Sequence, residues 1–250
     1  MSHNQSAHTQ PAHTQPAHTQ PDGYLARPAH GTDAPVLVLH AWWGLNATVK
    51  AFCDRLADAG FIAFAPDLYH GALATTIEEA ETLGTALDNR QHEAQAEIAQ
   101  AAAFLHAQTQ QDAPIGAIGA DNRGIAVIGF SLGAYYALEL ADAQPDRVRA
   151  VVVFYGTGSD NFANSQATYL GHFAAQDDYE PAANVDALET ALMQAGRPVT
   201  FYRYPDTGHW FLEPDRTDAY NHAAATLAWS RTLAFLQAAA ADPNSPRSTP

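Results

Sequence analysis

Ser131 lies in a stretch of this 250-residue chain whose residue types and spacing are typical of nucleophilic catalysis. Residues 129–133 read Gly-Phe-Ser-Leu-Gly, at the end of the apolar run 125–130 and before a helical pattern. A serine on a sharp turn from a buried strand to a helix projects its hydroxyl away from the sheet, and the flanking glycines let strand and helix pass closely. The helix also points its free amides at any oxyanion formed beside the serine. The pattern therefore predicts that Ser131 is a catalytic nucleophile.

A serine hydroxyl needs a neighbouring base at neutral pH, and the base needs a carboxylate to orient it. In this strand–turn–helix context the chain order is serine, acid, histidine. Three histidines follow the serine: His172, His209 and His222. His172 lies in an apolar run typical of a strand, His222 lies in a helical pattern, and His209 lies in a glycine-containing loop after a predicted strand. We therefore predict that His209 is the base.

The acid is expected after the strand that precedes the base. Two adjacent carboxylates, Asp177 and Asp178, follow the apolar run 169–174. Because neighbouring side chains diverge, one of them can face His209 while the other is solvated or caps the helix after Pro181. Asp177 is nearer the strand end and is preferred for that reason, although spacing alone leaves both residues open.

Short apolar runs alternate with amphipathic stretches along the chain. The runs predict strands at Gly23–Ala26, 36–39, 61–65, 125–130, 150–155, 169–174 and 199–204. Apolar residues at helical spacing predict helices at 46–59, 75–108, 132–141, 184–195 and 218–239, the second being two helices broken near Asp88 and Asn89. This alternation is typical of an α/β fold, in which a mostly parallel sheet has helices on both faces. Such sheets place their chemistry at the carboxyl ends of the strands.

Further motifs occur in order around the predicted nucleophile: Gly23-Tyr-Leu-Ala-Arg-Pro, Val36-Leu-Val-Leu-His-Ala-Trp-Trp-Gly-Leu-Asn46, Ala65-Pro-Asp-Leu-Tyr69, Gln176-Asp177 and Gly208-His209. This ordered set resembles the dienelactone hydrolase family of α/β-hydrolases over residues 22–240. The resemblance implies an α/β-hydrolase fold and a nucleophilic hydrolase that needs no cofactor. It favours Asp177, because the family's acid is the aspartate of the Gln-Asp pair. It also implies an oxyanion hole formed by the backbone amides of Trp42 and Leu132.

The chain departs from the family's archetypes at four positions. The archetypes have a cysteine at the position of Ser131 and, at the position of Ala41, a glutamate that manages the thiol proton, so the two changes are chemically consistent. They have arginines that hold the carboxylate of the lactone where this chain has Gly71 and Glu213. Without a bidentate cationic partner, an anionic lactone is a poor ligand. We therefore expect a serine-nucleophile variant that acts on an uncharged substrate.

Large aromatic residues lie in the segments that follow the predicted strands. If several of them converge beside the predicted nucleophile, they form an apolar substrate pocket. The candidates are Trp43, Tyr69, Tyr155 and Trp210. Each of these rings could equally be packed under a loop. The sequence contains no His-x-x-x-His pair or carboxylate cluster typical of a metal site, so no metal is predicted.

Charge excludes several classes of partner. The chain has 12 basic and 27 acidic residues, a formal net charge of −15, so phosphate backbones and anionic lipids would repel it. We therefore predict no nucleic-acid partner and no membrane partner. No apolar run approaches the roughly 20 residues of a membrane span, and no signal-peptide pattern precedes the first strand. Cys53 is the single cysteine and cannot form an intrachain disulfide. A cytoplasmic location is expected.

The two ends of the chain differ in composition from its centre. Residues 7–21 contain three copies of Ala-His-Thr-Gln-Pro, and residues 241–250 contain three prolines and no large apolar side chain. Such segments cannot offset their ordering entropy by burial. We therefore predict disordered tails at 1–21 and 241–250 around one domain at 22–240.

The leading hypothesis is a serine hydrolase that cleaves small carboxylic esters or lactones through an acyl-enzyme, with a triad of Ser131, His209 and Asp177. Three alternatives stay open. The chain could be a dienelactone hydrolase proper, that is, a carboxymethylenebutenolidase. It could be a non-catalytic α/β-hydrolase domain that binds ligands. Finally, the histidine repeat could be the functional part, as a metal or surface tether.

Overall fold

A computed structural model of the chain describes residues 19–31, 34–111, 124–159 and 161–241. Its strands are β1 (Gly23–Ala26), β2 (Ala34–Leu39), β3 (Phe61–Pro66), β4 (Ile125–Phe130), β5 (Val148–Phe154), β6 (Thr168–Ala174) and β7 (Val199–Tyr204). They form one sheet in the order β1-β3-β2-β4-β5-β6-β7. β1 pairs with β3 in the antiparallel sense, and the other neighbouring pairs are parallel. The parallel strands therefore bring their carboxyl ends to one edge of the sheet.

Five of the described helices lie between strands along the chain, and a sixth follows β7. They are α1 (Ala47–Asp58), α2 (Ile77–Asp88), α3 (Gln91–Gln111), α4 (Leu132–Ala143), α5 (Ala182–Gln194) and α6 (His222–Ala241). Within the described ranges, none of them is both long and apolar enough to cross a membrane.

Local side-chain hydrogen bonds set where several helices begin. The Val49 amide donates to the side chain of Asn46 at the start of α1, with an N–O distance of 3.0 Å. Thr76 and Glu79 form a reciprocal capping box at the start of α2. Such bonds satisfy amides that have no partner within the helix.

The sheet is buried on both faces, as a continuous apolar strand pattern requires. In β2, Leu37 and Leu39 belong to a buried cluster that includes side chains of α3, α4 and α5, whereas Val36 and Val38 belong to a second cluster that includes side chains of α1 and α6. The expected α/β fold with helices on both faces is therefore confirmed.

Element boundaries agree with the predicted ones to within a few residues, with one larger difference. The predicted helix 75–108 is indeed two helices, α2 and α3. The predicted helix 218–239, however, begins at His222. Turn hydrogen bonds link the backbone from Trp210 to Tyr220, and Asn221 accepts the Ala224 amide at 3.1 Å, so the helix starts after this cap. Of the predicted tails, residues 1–18 and 242–250 lie outside the described residues.

Candidate active site

Ser131 occupies the turn between β4 and α4 in a strained backbone conformation. Its φ is 49° and its ψ is −113°, a region that residues with a side chain rarely adopt. The turn is held by the Ser131 amide, which donates to the Phe154 carbonyl at 2.9 Å, and by the Ser131 carbonyl, which accepts the Ala134 amide at 2.8 Å. The hydroxyl is thereby fixed at the carboxyl edge of the sheet.

The two flanking glycines allow this turn because strand and helix pass in direct contact. A Cβ placed on Gly129 would lie 2.3 Å from the Gly133 carbonyl oxygen, and one on Gly133 would lie 2.3 Å from the Leu39 carbonyl oxygen. Neither distance is compatible with a side chain. The role predicted for both glycines, room for close packing, therefore matches their surroundings.

Three side chains from separate strand ends form a continuous hydrogen-bonded chain. The Nε2 atom of His209 is 2.9 Å from the Ser131 Oγ atom. The Nδ1 atom of His209 is 2.8 Å from each carboxylate oxygen of Asp177. The side chains of His209 and Asp177 are 5% and 4% exposed. The structure thus brings together the nucleophile, base and acid candidates, which follow β4, β7 and β6.

Hydrogen bonding assigns the imidazole protons. A carboxylate only accepts, so Nδ1 of His209 donates to Asp177, which leaves Nε2 free to accept the proton of the Ser131 hydroxyl. Asp177 is itself held in place, because its Oδ1 accepts the amides of Tyr179 and Glu180 at 2.9 Å each. This geometry can carry out general-base activation of a hydroxyl.

The competing residues occupy other environments. His172 is fully buried in β6, where its ring bonds the Tyr204 hydroxyl at 2.7 Å and the Thr232 hydroxyl at 3.0 Å. Burial lowers the pKa of His172 to about 3, so this ring is neutral. His222 is exposed at the start of α6, and Asp178 is exposed beside Asp177.

A cleft of about 210 Å³ lies over the serine. It is lined by Trp42, Ser131, Leu132, Tyr135, Gly156, Thr157, Tyr179, Glu180, His209 and Trp210. Leu132 is the first residue of α4, and the amides of a first helical turn have no partner within the helix. The two residues of the expected oxyanion hole, Trp42 and Leu132, are therefore both at the cleft.

The aromatic wall of this cleft differs from the predicted pocket. Of the four candidates, Trp210 lines the cleft, but Trp43, Tyr69 and Tyr155 do not. Trp43 is buried under Arg216, whose guanidinium lies 4.0 Å from the ring centroid. Tyr69 packs edge-on against His40, with 4.9 Å between ring centroids. Tyr155 is fully buried behind His209.

The cleft instead contains side chains that the sequence reasoning missed: Tyr135, Tyr179 and Glu180. Signals for them exist in the sequence. Tyr135 follows Ser131 by four residues, which is one helical turn, so it lies on the same side of α4. Tyr179 and Glu180 follow Asp177 in the same loop, and their amides bind its carboxylate.

Behind the imidazole lies a buried polar pair that the sequence did not predict. The Tyr155 ring centroid is 4.9 Å from that of His209, and the Tyr155 hydroxyl donates to Glu213 Oε1 at 2.6 Å. Glu213 occupies the position of one archetypal arginine, yet it is only 4% exposed. Burial raises the pKa of Glu213 from an ordinary value of 4.5 to about 8.

Glu213→Gln is expected to stabilise the protein at alkaline pH. The folded state binds the Glu213 proton more tightly than the unfolded state, so the stability from this proton is complete below pH 4.5 and is lost as pH rises through about 8. A shift of one pKa unit corresponds to about 1.4 kcal/mol, and with relaxation we expect the variant to gain about 2–4 kcal/mol between pH 5 and pH 9. Glutamine keeps an oxygen that can accept from Tyr155.

Urea unfolding at pH 5 and pH 9 measures this gain, with Glu81→Gln as the control because Glu81 is an exposed carboxylate of α2. The raised pKa of Glu213 would be contradicted if the free energy of unfolding differed between Glu213→Gln and the unmodified protein by the same amount at both pH values.

No group of three or more histidine, cysteine, aspartate or glutamate side chains in the described part of the chain could hold a metal ion.

The chain is similar to known proteins over most of its length. The model of the dienelactone hydrolase family matches residues 22–240. "Protein usf" of Aquifex pyrophilus is 30% identical, and the alignment covers 86% of this chain and 92% of the relative. A protein of Aquifex aeolicus (strain VF5) named "Putative carboxymethylenebutenolidase" is 29% identical, with the same shares covered.

A solved structure shows the same arrangement of elements. The crystal structure described as a "Putative Dienelactone Hydrolase from Klebsiella pneumoniae subsp. pneumoniae MGH 78578" superposes with a TM-score of 0.70 at 25% identity, and covers 86% of this chain and 92% of that one. With a family match over nearly the whole described domain and this shared fold, the chain belongs to the dienelactone hydrolase family of α/β-hydrolases.

Proposed function

We propose that this protein is a serine hydrolase that cleaves small carboxylic esters or lactones through an acyl-enzyme. The observation that carries the proposal is the hydrogen-bonded chain from Ser131 Oγ through the His209 ring to Asp177, with distances of 2.9 and 2.8 Å. This is the arrangement of groups that acyl transfer by a hydroxyl nucleophile requires.

In the acylation step, Ser131 Oγ forms a bond to the substrate carbonyl carbon while His209 Nε2 takes the hydroxyl proton. The carbonyl oxygen becomes an oxyanion, which the amides of Trp42 and Leu132 stabilise by hydrogen bonds. Asp177 holds the imidazole in its tautomer and stabilises the imidazolium. The bond from the carbonyl carbon to the leaving oxygen then breaks, and His209 gives its proton to that oxygen. The products are the alcohol and an ester of Ser131.

The second step releases the acid. His209 takes a proton from a water molecule, whose oxygen attacks the acyl carbon of the ester. The tetrahedral intermediate collapses, the bond to Ser131 Oγ breaks, and His209 returns the proton to that oxygen. With a lactone the alcohol and the acid stay in one molecule. A strained turn that presents Ser131 and a buried imidazole favour this sequence.

The relative from Aquifex aeolicus bears the name of a lactone-cleaving enzyme, which makes dienelactone hydrolysis a second candidate activity. The described cleft opposes it, because no arginine or lysine is among its lining residues and the substrate of the archetypes carries a carboxylate. A group without a negative charge suits the rings of Trp42, Tyr135 and Trp210 better than a carboxylate does. A cytoplasmic location stays a prediction from the sequence.

A fluorophosphonate probe tests the proposal, because it phosphonylates serines that are activated by a histidine. We expect one probe per molecule, bound within the tryptic peptide of residues 124–147, in which Ser131 is the only serine and threonine is absent. Hydrolysis of p-nitrophenyl acetate should fall in step with labelling. Ester and lactone hydrolysis that persists after complete labelling, or a panel of small esters and lactones with no turnover at all, would overturn the proposed function.

A further inference from the structure

Glu180 lies on the wall of the cleft over Ser131, and its carboxylate bonds the amide of Thr157, another residue of that wall. It lines the same cavity as Ser131 and His209, and among the lining residues that the structure describes there is no lysine or arginine. We propose that Glu180 makes the site selective by charge, so that the favoured esters carry a positive charge on the group next to the scissile bond. This inference rests on the proposed esterase function.

The Glu180 carboxylate is held rigidly by uncharged partners. Its Oε2 accepts the Thr157 amide at 2.8 Å, and its Oε1 accepts the side-chain amide of Asn184 at 3.0 Å. Its own backbone amide donates to Asp177 Oδ1 at 2.9 Å. The loop after β5, the start of α5 and the proposed catalytic acid therefore all fix its position. Because neither Thr157 nor Asn184 carries a charge, these bonds leave the negative charge of Glu180 uncompensated.

Three aromatic rings on the wall of the same cleft are suited to binding a cation. The ring of Tyr179 lies 4.7 Å from that of Trp210 and 6.1 Å from that of Trp42, centroid to centroid, and all three residues line the cleft. Tyr179 is 43% exposed, so its ring is accessible at the mouth. A quaternary ammonium group binds the faces of such rings, and a nearby carboxylate strengthens the attraction.

The rest of the chain reinforces the preference. The formal net charge of −15 draws cations toward the protein and slows the approach of anions. This chain has no positive charge at the two positions where the family's archetypes have arginines. Gly71 is exposed and has no side chain, and Glu213 is buried behind Tyr155. A carboxylate on the substrate would therefore meet Glu180 without a compensating cation.

Three thioacetates of similar size test the proposal: acetylthiocholine, its uncharged isostere 3,3-dimethylbutyl thioacetate, and the anionic S-acetyl-3-mercaptopropionate. The released thiol is followed with a disulfide reagent, to which the fully buried Cys53 contributes little. For the unmodified protein we expect kcat/KM to fall in the order cationic, neutral, anionic. Glu180→Gln, which keeps an acceptor for the Thr157 amide, should lower the ratio of cationic to neutral kcat/KM by about 3- to 10-fold.

Two further variants test whether the selectivity depends on the charge of Glu180 itself. Glu180→Lys should reverse the order of the cationic and anionic substrates. Asp178→Asn is the matched control, because Asp178 is an exposed carboxylate two residues away that does not line this cleft, and it should leave the ratio unchanged. Equal kcat/KM for all three substrates, or an equal loss of the ratio in Asp178→Asn, would overturn charge selection by Glu180. Absence of turnover with every substrate would instead overturn the proposed function.

Discussion

Ser131→Ala is expected to lower kcat/KM for p-nitrophenyl acetate by about 10⁴-fold or more. Alanine lacks the oxygen atom that would form the acyl-enzyme. The hydrogen bond between His209 and Asp177 stays in place. In triads of this type, loss of the nucleophile leaves only the activity that binding and the oxyanion hole provide. The fold should persist, because the Ser131 contacts that hold the turn are made by its backbone.

Steady-state kinetics measure the loss, and circular dichroism with thermal melting checks the fold. Ser230→Ala is the matched control, since Ser230 is an exposed serine on α6, and its kcat/KM should equal that of the unmodified protein. Turnover by folded Ser131→Ala within about tenfold of the unmodified protein would contradict the nucleophile assignment.

Asp177→Asn is expected to lower kcat by about 10³- to 10⁴-fold. The Asp177 oxygen that accepts the amides of Tyr179 and Glu180 would remain as the carboxamide oxygen. Both Asp177 oxygens lie 2.8 Å from His209 Nδ1, so the carboxamide nitrogen would take the place of Oδ2 beside Nδ1, where as a donor it favours the tautomer with the proton on Nε2. That tautomer cannot accept the proton of Ser131, and the imidazolium loses its counter-charge.

The loss in Asp177→Asn should lie mainly in kcat, because Asp177 is not a lining residue of the cleft. Asp178→Asn is its control and should retain kcat, since the exposed Asp178 side chain is not part of the chain of hydrogen bonds to His209. If both variants lost activity equally, the acidic loop as a whole rather than Asp177 would be responsible.

The fold was predictable because the alternation of apolar runs and amphipathic helices is strong along the chain. β4 and β7 begin and end where the sequence pattern places them, and the break between α2 and α3 coincides with Asp88 and Asn89. The start of α6 was not predictable from periodicity. It depends on the turns from Trp210 to Tyr220 and on the Asn221 cap, which are local hydrogen bonds without an apolar repeat.

The order and spacing of Ser131, Asp177 and His209 indicated which strand ends should meet, and the structure brings these side chains within hydrogen-bonding distance. Their catalytic roles remain our proposal. The direction of neighbouring side chains was not readable in the same way. Trp42 lines the cleft whereas the adjacent Trp43 is buried under Arg216.

Tyr155 shows why the structure places a predicted pocket residue away from the cleft. It directly follows β5 at the carboxyl edge of the sheet, where a pocket residue is expected, but its φ of 38° is unusual for a residue with a side chain. The ring packs behind His209 and its hydroxyl reaches Glu213. No sequence pattern indicated either that conformation or the burial of Glu213, which depends on the turns that follow His209.

Trapping the acyl-enzyme tests the central claim most directly. Rapid acid quenching during turnover of p-nitrophenyl acetate, followed by mass spectrometry of the tryptic peptide 124–147, should detect a fraction of that peptide heavier by one acetyl group. The adduct should be located on Ser131 by fragmentation, and it should be absent from Ser131→Ala. Efficient turnover with the acetyl group on another residue, or with the same rate in a variant lacking the hydroxyl, would contradict the account.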